Sequence, residues 1–243
     1  MIDDISASVV RRQDPEIYFV DLIKSEVLLD AEELRTPRLS DADIDWARAI
    51  TDEKARRRWR SSRIAIRILL ERVAGESLRR IPFQFEPGGR PFLADGGPHF
   101  SISHTRDAAI IAVGKKMPVG IDLECASRVV RMSDDRRLRI IRAAERLGTQ
   151  PAASGESDGD VLRAWVRLEA IAKARGTGIG RLLTDEGVIG GAGRTDVRGS
   201  DTSVMEVRDL PIGKPYISAI AARQLPQDLE VLTFPTDRLG QVW

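Results

Sequence analysis

The stretch Val119–Glu124, VGIDLE, is typical of a short β-strand with two different faces. Its residues alternate in character, so Ile121 and Leu123 are predicted to face a core. Asp122 and Glu124 then share the opposite face. Two like charges so close together are unfavourable without a cation, and hard oxygen ligands suit magnesium. The alternative is an edge strand with a solvated acidic face, and the strand pattern by itself leaves both interpretations open.

Working outward toward the N-terminus, the sequence predicts a hairpin. HFSIS (99–103) and AAIIAVG (108–114) have strand character, and HTRD (104–107) is typical of a turn. Met117-Pro118 then interrupts the pattern, which predicts a boundary between two halves of the chain. The order of elements before the boundary resembles the order after it. We therefore expect an α+β protein with an N-terminal half at 1–118 and a C-terminal half at 119–243.

The remaining segments fill in the two halves. The first half is predicted to contain a strand at IYFVDLI (17–23), a loop, a helix capped by Ser40 or Asp41, and a basic amphipathic helix at about 51–73 with Trp59 on its apolar stripe. The second half is predicted to contain a helix capped by Ser133-Asp134, a flexible linker at 151–160, a helix from about 160 to 174 that ends at Gly176, and strands at 203–210 and 216–222.

Composition limits the class of protein. The chain has 38 basic and 37 acidic residues, for a net charge of +1, which argues against a protein that coats polyanions. Its one cysteine, Cys125, excludes an internal disulfide framework and a multi-cysteine zinc site. Neither a signal-peptide pattern nor an apolar run of about 18 residues is visible. We expect a monomeric, soluble, cytoplasmic protein that does not bind membranes.

A second pattern with chemical potential is WVRLEAIAK (165–173). Its spacing stacks Trp165, Glu169 and Lys173 on one face of a helix, one turn apart. The simpler interpretation is an exposed ion pair, which contributes only about 0.3–0.5 kcal/mol. The tryptophan counts against that interpretation, because a large aromatic side chain is poorly placed on a solvated face.

A third, more scattered set of residues suits anions. It comprises the arginine-rich run from Arg56 to Arg67, Gly89-Arg90-Pro91, and Ser101–His104. Arginine forks match phosphate oxygens. Each member also has an ordinary explanation, namely a solvated arginine-rich helix face, a loop arginine and a histidine that caps a turn.

Taken together and in order, these segments resemble the Sfp-type 4′-phosphopantetheinyl transferase family from about Arg56 to Ala222. The landmarks of that family are a Gly-Lys/Arg-Pro turn, an N/S-I-S-H segment, a V-G-I-D-x-E strand and a W-x-x-K-E-x-x-x-K helix. Here they are GRPFL (89–93), FSISH (100–104), VGIDLE (119–124) and WVRLEAIAK (165–173), with Glu169 following Glu124 by 45 positions. One position departs from the pattern, because Leu168 replaces the lysine before Glu169.

The resemblance implies a fold, a reaction and a set of site residues. It implies two similar α+β halves related by a pseudo-two-fold axis, with coenzyme A between them, and transfer of 4′-phosphopantetheine to a serine of an acyl or peptidyl carrier protein. Asp122, Glu124 and Glu169 would bind Mg²⁺, and Glu169 would also act as general base. The other implied contacts are to coenzyme A: Lys173 and His104 to phosphates, Ser103 in the same strip, and Arg58 and Arg90 at the 3′-phosphoadenosine end. Arg56, Arg57, Arg60 and Arg63 are alternatives to Arg58.

Two other functions are compatible with parts of the sequence. The arginine-rich helix could belong to a nucleotide- or nucleic-acid-binding module, with Trp59 stacking on a base, although the near-zero net charge disfavours nucleic acid. A magnesium site beside coenzyme A could also hydrolyse the diphosphate. The identity of the carrier is open, and the helix with Arg136, Arg137, Arg139 and Arg142 is either a docking face for an acidic carrier or a solvated surface.

Overall fold

The structure, a computed structural model, describes residues 13–148, 157–190 and 205–234. These residues form a mixture of helices and strands, which confirms the predicted α+β class. In chain order the elements are β1 (Glu16–Asp21), α1 (Glu26–Arg35), α2 (Asp41–Ala49), α3 (Glu53–Ala74), β2 (Gln84–Phe85), β3 (Pro91–Phe92), β4 (His99–Thr105), β5 (Ala108–Gly114), β6 (Val119–Cys125), α4 (Asp134–Leu147), α5 (Asp158–Arg175), α6 (Ile179–Asp185), β7 (Glu206–Asp209), β8 (Tyr216–Ala222) and β9 (Val231–Thr233).

Two sheets organise the fold. The first has the strand order β4-β5-β1-β9, and the second has the order β6-β8-β7. The predicted hairpin is confirmed, since β4 and β5 pair antiparallel with His104 opposite Ala109. All pairs in the second sheet are also antiparallel. In the first sheet β9 pairs parallel with β1, so the chain returns to its first strand after the second sheet is complete.

Capping residues define where the predicted helices begin and end. Ser40 forms a capping box with Asp43 at the start of α2, as its position predicted. Ser157 forms a second capping box with Asp160, so α5 begins at Asp158, two residues earlier than expected. The helix ends at Gly176, which has the left-handed φ of 69° that glycine tolerates best. Of the predicted linker, residues 151–156 lie outside the described residues.

Two sequence-based expectations in the first half were wrong. The predicted loop after the first strand contains α1, whose apolar residues show no clean helical period, and Val27 and Leu34 are 82% and 81% exposed while Leu29 is buried. Trp59 was expected in the core with Ile66 on the apolar stripe of α3, but it is only half-buried. It lies at the rim, where the Arg63 guanidinium stacks on its ring.

Apolar side chains form three clusters. One lies in the first half, between α3 and the first sheet, and one in the second half, between α4, α5 and the second sheet. The third joins the two sheets, because Ile17 and Ile110 of the first sheet pack with Ile121 and Ile220 of the second. The division at 118/119 and the pseudo-two-fold relation remain predictions.

Within the described part of the chain, every helix is too short or too polar to cross a membrane.

Candidate functional site

Asp122 is the residue on which the candidate site is centred. Its side chain lies on β6 and is only 5% exposed. Its Oδ1 accepts a hydrogen bond from Ser103 Oγ of β4 at 2.7 Å and one from Lys173 Nζ of α5 at 2.7 Å. Lys173 Nζ also donates to the carbonyl of Ile121 at 3.1 Å. One carboxylate therefore joins three elements from both halves, and the buried charge is paired.

A glycine explains how α5 comes so close to β6. A Cβ on Gly120 would lie 1.9 Å from the carbonyl oxygen of Ala170 and 2.4 Å from the nitrogen of Ala174. Any larger residue would push the helix away from the strand. The backbone contact places the turn of α5 that carries Glu169 and Lys173 directly against β6. The predicted helical register therefore delivers both side chains to the acidic face of the strand.

The other two predicted metal ligands lie in the same electrostatic neighbourhood. Burial raises the pKa of Glu169, and the negative charges of Asp122 and Glu124 raise it further, against the opposing effect of Lys173. Burial also raises the pKa of Glu124, although an ion pair with Arg128 opposes this. Both shifts arise because carboxylates are crowded together away from water. The negative charges of these carboxylates therefore repel one another, and a bound cation would reduce that repulsion.

The raised pKa of Glu169 predicts how this residue affects stability. A group whose folded-state pKa exceeds its ordinary value stabilises the fold below that ordinary value, and the contribution is lost as pH rises through the folded-state pKa. At about pH 7.5 the full cost of the buried charge is present. We therefore expect Glu169→Gln, measured in EDTA by scanning calorimetry, to raise the melting temperature by about 2 °C or more, with a smaller gain near pH 4.5.

The exposed Glu145 provides the matched control for that measurement. Glu145→Gln should leave the melting temperature unchanged at both pH values. A Glu169→Gln variant that melts at or below the wild-type temperature at pH 7.5 would show that Glu169 carries no such electrostatic cost.

The donor set suits magnesium. Among residues 13–148, 157–190 and 205–234, no three His, Cys, Asp or Glu side chains are already grouped as a metal centre. Magnesium does not require such a group, since it usually keeps several waters and is held by one or two carboxylates together with substrate phosphates. Asp122, Glu124 and Glu169 are carboxylates that repel one another, which is the chemistry expected of residues that hold a hard cation.

Positive side chains face the carboxylates. Desolvation by the surrounding protein lowers the pKa of His104, and the positive charges of Lys173 and Arg63 lower it further. His104 keeps an exposed side chain at the end of β4, one residue beyond Ser103. Lys173 and Arg63 thus form a cationic group beside the acidic one, with His104 next to them in its neutral form, and such a group suits a phosphate.

Arg63, which the sequence offered only as one of four alternatives to Arg58, lies close enough to His104 to lower its pKa. Its side chain is 15% exposed and stacks on the rings of Trp59 and Phe83. It approaches Asp43 at 3.4 Å, yet its Nη1 is buried without a hydrogen-bond partner in the described residues. Buried polar atoms are rarely left unpaired, so this nitrogen offers an open donor. The repeated arginines in the sequence gave no signal that could select it.

The two arginines that were predicted to contact coenzyme A lie at different places. Arg58 forms an ion pair at 2.5 Å with Asp107, in the turn that follows His104. Arg90 pairs with Glu86, and its Nη1 donates to the carbonyl of Ala174 at 2.7 Å. Arg58 therefore borders the cationic group, whereas the Arg90 guanidinium is bound to the end of α5.

A cavity of about 250 Å³ adjoins the site. Its walls come from the loop before β3, from β4 and from α5, and they include Gly88, Arg90, Ser101, Glu169, Lys173 and Ile179. Its lining residues come from both sides of position 118/119, and the location of coenzyme A between two halves remains a prediction. A molecule bound in the cavity would contact Glu169 and Lys173.

Comparison with known proteins points in the same direction as the motifs. No protein-family model matches the chain. It is 31% identical over 136 residues to HetI of Nostoc sp., a 4′-phosphopantetheinyl transferase, and the match covers 52% of this chain and 55% of HetI. Over about half its length the chain is thus similar to a 4′-phosphopantetheinyl transferase. It is also 25% identical over 131 residues to slr0495 of Synechocystis sp., whose name assigns the same activity provisionally, with 51% of each chain covered.

The chain spans about half the length of the curated relatives it matches. The two matches confirm the predicted resemblance to the phosphopantetheinyl transferase family. Leu168 is the position at which this chain departs from the family motif. Its side chain is fully buried in the apolar cluster of the second half. A lysine there would have to leave the core to reach a ligand, so the leucine is consistent with a packing role.

Proposed function

We propose that this protein transfers the 4′-phosphopantetheine group of coenzyme A to a serine of an acyl or peptidyl carrier protein, with Mg²⁺, and releases 3′,5′-adenosine diphosphate. The observation that carries the proposal is the meeting of Asp122, Ser103 and Lys173 from both halves, beside a cavity that also contacts Glu169. The relatives support the activity, and the site chemistry supports the substrate class.

The acidic and the cationic groups have separate roles in this proposal. Asp122, Glu124 and Glu169 would hold Mg²⁺, which supplies charge neutralisation at the diphosphate. Lys173, His104 and Arg63 would contact phosphate oxygens directly. Arg58, at the neighbouring turn, remains a candidate for the 3′-phosphoadenosine end. Phosphoryl transfer depends mainly on such positioning and charge stabilisation, so this enzyme needs no covalent nucleophile of its own.

The chemical step forms one bond and breaks one. The serine oxygen of the carrier attacks the β-phosphorus of coenzyme A, and the bond from that phosphorus to the oxygen of the 3′,5′-adenosine diphosphate leaving group breaks. The serine proton passes to Glu169, directly or through one water. Glu169 lines the cavity beside Lys173, where it can accept this proton from a bound carrier serine. Lys173 stabilises the charge that develops on the leaving group.

Intact-protein mass spectrometry tests the proposal. Apo carrier proteins from fatty-acid, polyketide and peptide synthesis are incubated with the protein, coenzyme A and Mg²⁺, with EDTA as the control. We expect the mass of one phosphopantetheinyl group to be added to a carrier and to be lost on chelation. No addition to any carrier would contradict the proposal. Release of 3′,5′-adenosine diphosphate without a carrier would instead indicate hydrolysis.

The alternative nucleotide- or nucleic-acid-binding role finds less support. Several arginines of α3 form ion pairs with acidic residues and do not present a phosphate-binding face: Arg57 with Glu53, Arg60 with Asp30 and Arg67 with Asp43.

The candidate docking face on α4 also has paired arginines: Arg137 with Asp158 and Arg139 with Asp135. Five arginines of the two helices are therefore paired with carboxylates, which disfavours an open basic patch on either helix.

A further inference from the structure

The loop Glu86–Arg90 reaches from the first half to the C-terminal end of α5. Nη1 of Arg90 donates to the carbonyl of Ala174 at 2.7 Å and approaches that of Lys173 at 3.4 Å. The other side of the guanidinium pairs with Glu86. Its side chain is only 17% exposed. The last carbonyls of a helix have no partner within the helix and carry its negative dipole end, so an arginine is well suited to bind them.

Backbone contact reinforces this attachment. A Cβ on Gly88 would lie 2.1 Å from the carbonyl oxygen of Gly176 and 2.7 Å from the nitrogen of Gly178. The loop therefore rests on the backbone that follows α5, and only glycine allows that approach. The loop itself is closed by hydrogen bonds from Glu86 N to Arg90 O and from Gly89 N to Glu86 O. It is thus a preformed element.

We propose that this loop is a clasp that fixes the last turn of α5, and that Arg90 is a positioning residue for Lys173. Lys173 belongs to the turn that Arg90 binds, and its Nζ must remain 2.7 Å from Asp122 while it faces the cavity. Arg90 then acts on transfer through the helix and not through the 3′-phosphoadenosine group. Only the kinetic part of the test below rests on the proposed function.

The test compares Arg90→Ala and Gly88→Ala with the wild-type chain. Hydrogen–deuterium exchange reads the amides of Gly176 and Thr177, which bond to carbonyls of the last turn. We expect their exchange to accelerate about tenfold in both variants. In transfer assays we expect kcat to fall about 10- to 30-fold while KM for coenzyme A stays within about twofold, because a displaced lysine weakens transition-state contacts. Gly88→Ala keeps the Arg90 side chain, so it tests the backbone contact of the loop separately from the contacts of the guanidinium.

Two control variants match these changes. Arg146 also binds a carboxylate and a carbonyl, both of Glu186, at a distance from the cavity, and Arg146→Ala should change neither readout. A Cβ on Gly180 would meet nothing within 4 Å, so Gly180→Ala should be silent. Arg90→Lys, which restores one donor, should recover part of kcat.

The two readouts separate the possible failures. A rise in KM for coenzyme A at constant kcat, with unchanged amide exchange, would overturn the proposal and assign Arg90 to the substrate. If the wild-type chain modifies no carrier, the proposed function fails, but the exchange data still decide whether the clasp exists. If Arg90→Ala does not fold, Arg90→Lys and Gly88→Ala give the same decision.

Discussion

Asp122→Asn is expected to reduce the rate of phosphopantetheinyl transfer by about 10³-fold. Asparagine keeps the size of the side chain and can still bond to Ser103, but it removes the negative charge that pairs with Lys173. The ammonium then loses its partner in a partly buried position, and the proposed cation site loses one of its carboxylates. Removing a single charge-stabilising group commonly costs about 10²–10³-fold in kcat, and here two contacts are lost together. Initial rates of carrier modification, followed by mass spectrometry, measure the effect.

The control for this variant is Asp209 of β7, which also binds α5 but through a different residue. Asp209 accepts two hydrogen bonds from Arg167 of α5, at 2.7 and 2.8 Å, and does not line the cavity. Asp209→Asn should reduce stability but keep the transfer rate within about twofold. If Asp122→Asn transferred at the wild-type rate, Asp122 would not be the centre of the site.

Arg63→Met is expected to raise KM for coenzyme A about 10- to 100-fold with little change in kcat. Methionine preserves the apolar contacts with Trp59 and Phe83 but removes the open Nη1 donor and the charge beside His104. A hydrogen bond to a charged group contributes about 1.5–3 kcal/mol, which corresponds to this change in affinity. Calorimetric binding of 3′,5′-adenosine diphosphate should weaken by the same factor, because that product carries the phosphates but lacks the pantetheine arm.

Arg57 serves as the control for Arg63, because it lies on the same helix but forms an exposed ion pair with Glu53. Arg57→Met should bind 3′,5′-adenosine diphosphate as the wild-type chain does. Unchanged binding by Arg63→Met, together with a loss in Arg58→Met, would transfer the phosphate contact to Arg58 at the neighbouring turn.

The elements that sequence predicted well are those whose pattern is local. The alternation in β6, the hairpin β4–β5 and the register of Glu169 and Lys173 follow from periodicities of two and 3.6 residues. The serine cap at Ser40 likewise belongs to a short local motif, whereas the cap at Ser157 was missed because its segment was assigned to a flexible linker. The sequence therefore named Asp122, Ser103 and Lys173 as candidate site residues before their contacts were known. Only the family resemblance assigned them a common function.

The features that sequence did not predict depend on contacts between distant segments. Helix α1 exposes Val27 and Leu34, so its pattern resembles no amphipathic helix. Nothing in a run of arginines indicates that Arg63 stacks on Trp59 and Phe83, while its neighbours Arg57 and Arg60 bind glutamate or aspartate. The contact of Arg90 with Ala174 joins residues 84 positions apart, and a motif match could not distinguish it from a substrate contact.

The pairing of β9 with β1 has a consequence for how the chain is made. Because Ile17, Tyr18 and Phe19 align with residues 231 to 233, one edge of the first sheet lacks its neighbour until almost all the described residues have been synthesised. An open strand edge of this kind is a template for pairing with other chains. During synthesis on the ribosome, β1 therefore has an unpaired edge that could pair with other chains, and β9, the last strand among the described residues, covers that edge once it is made.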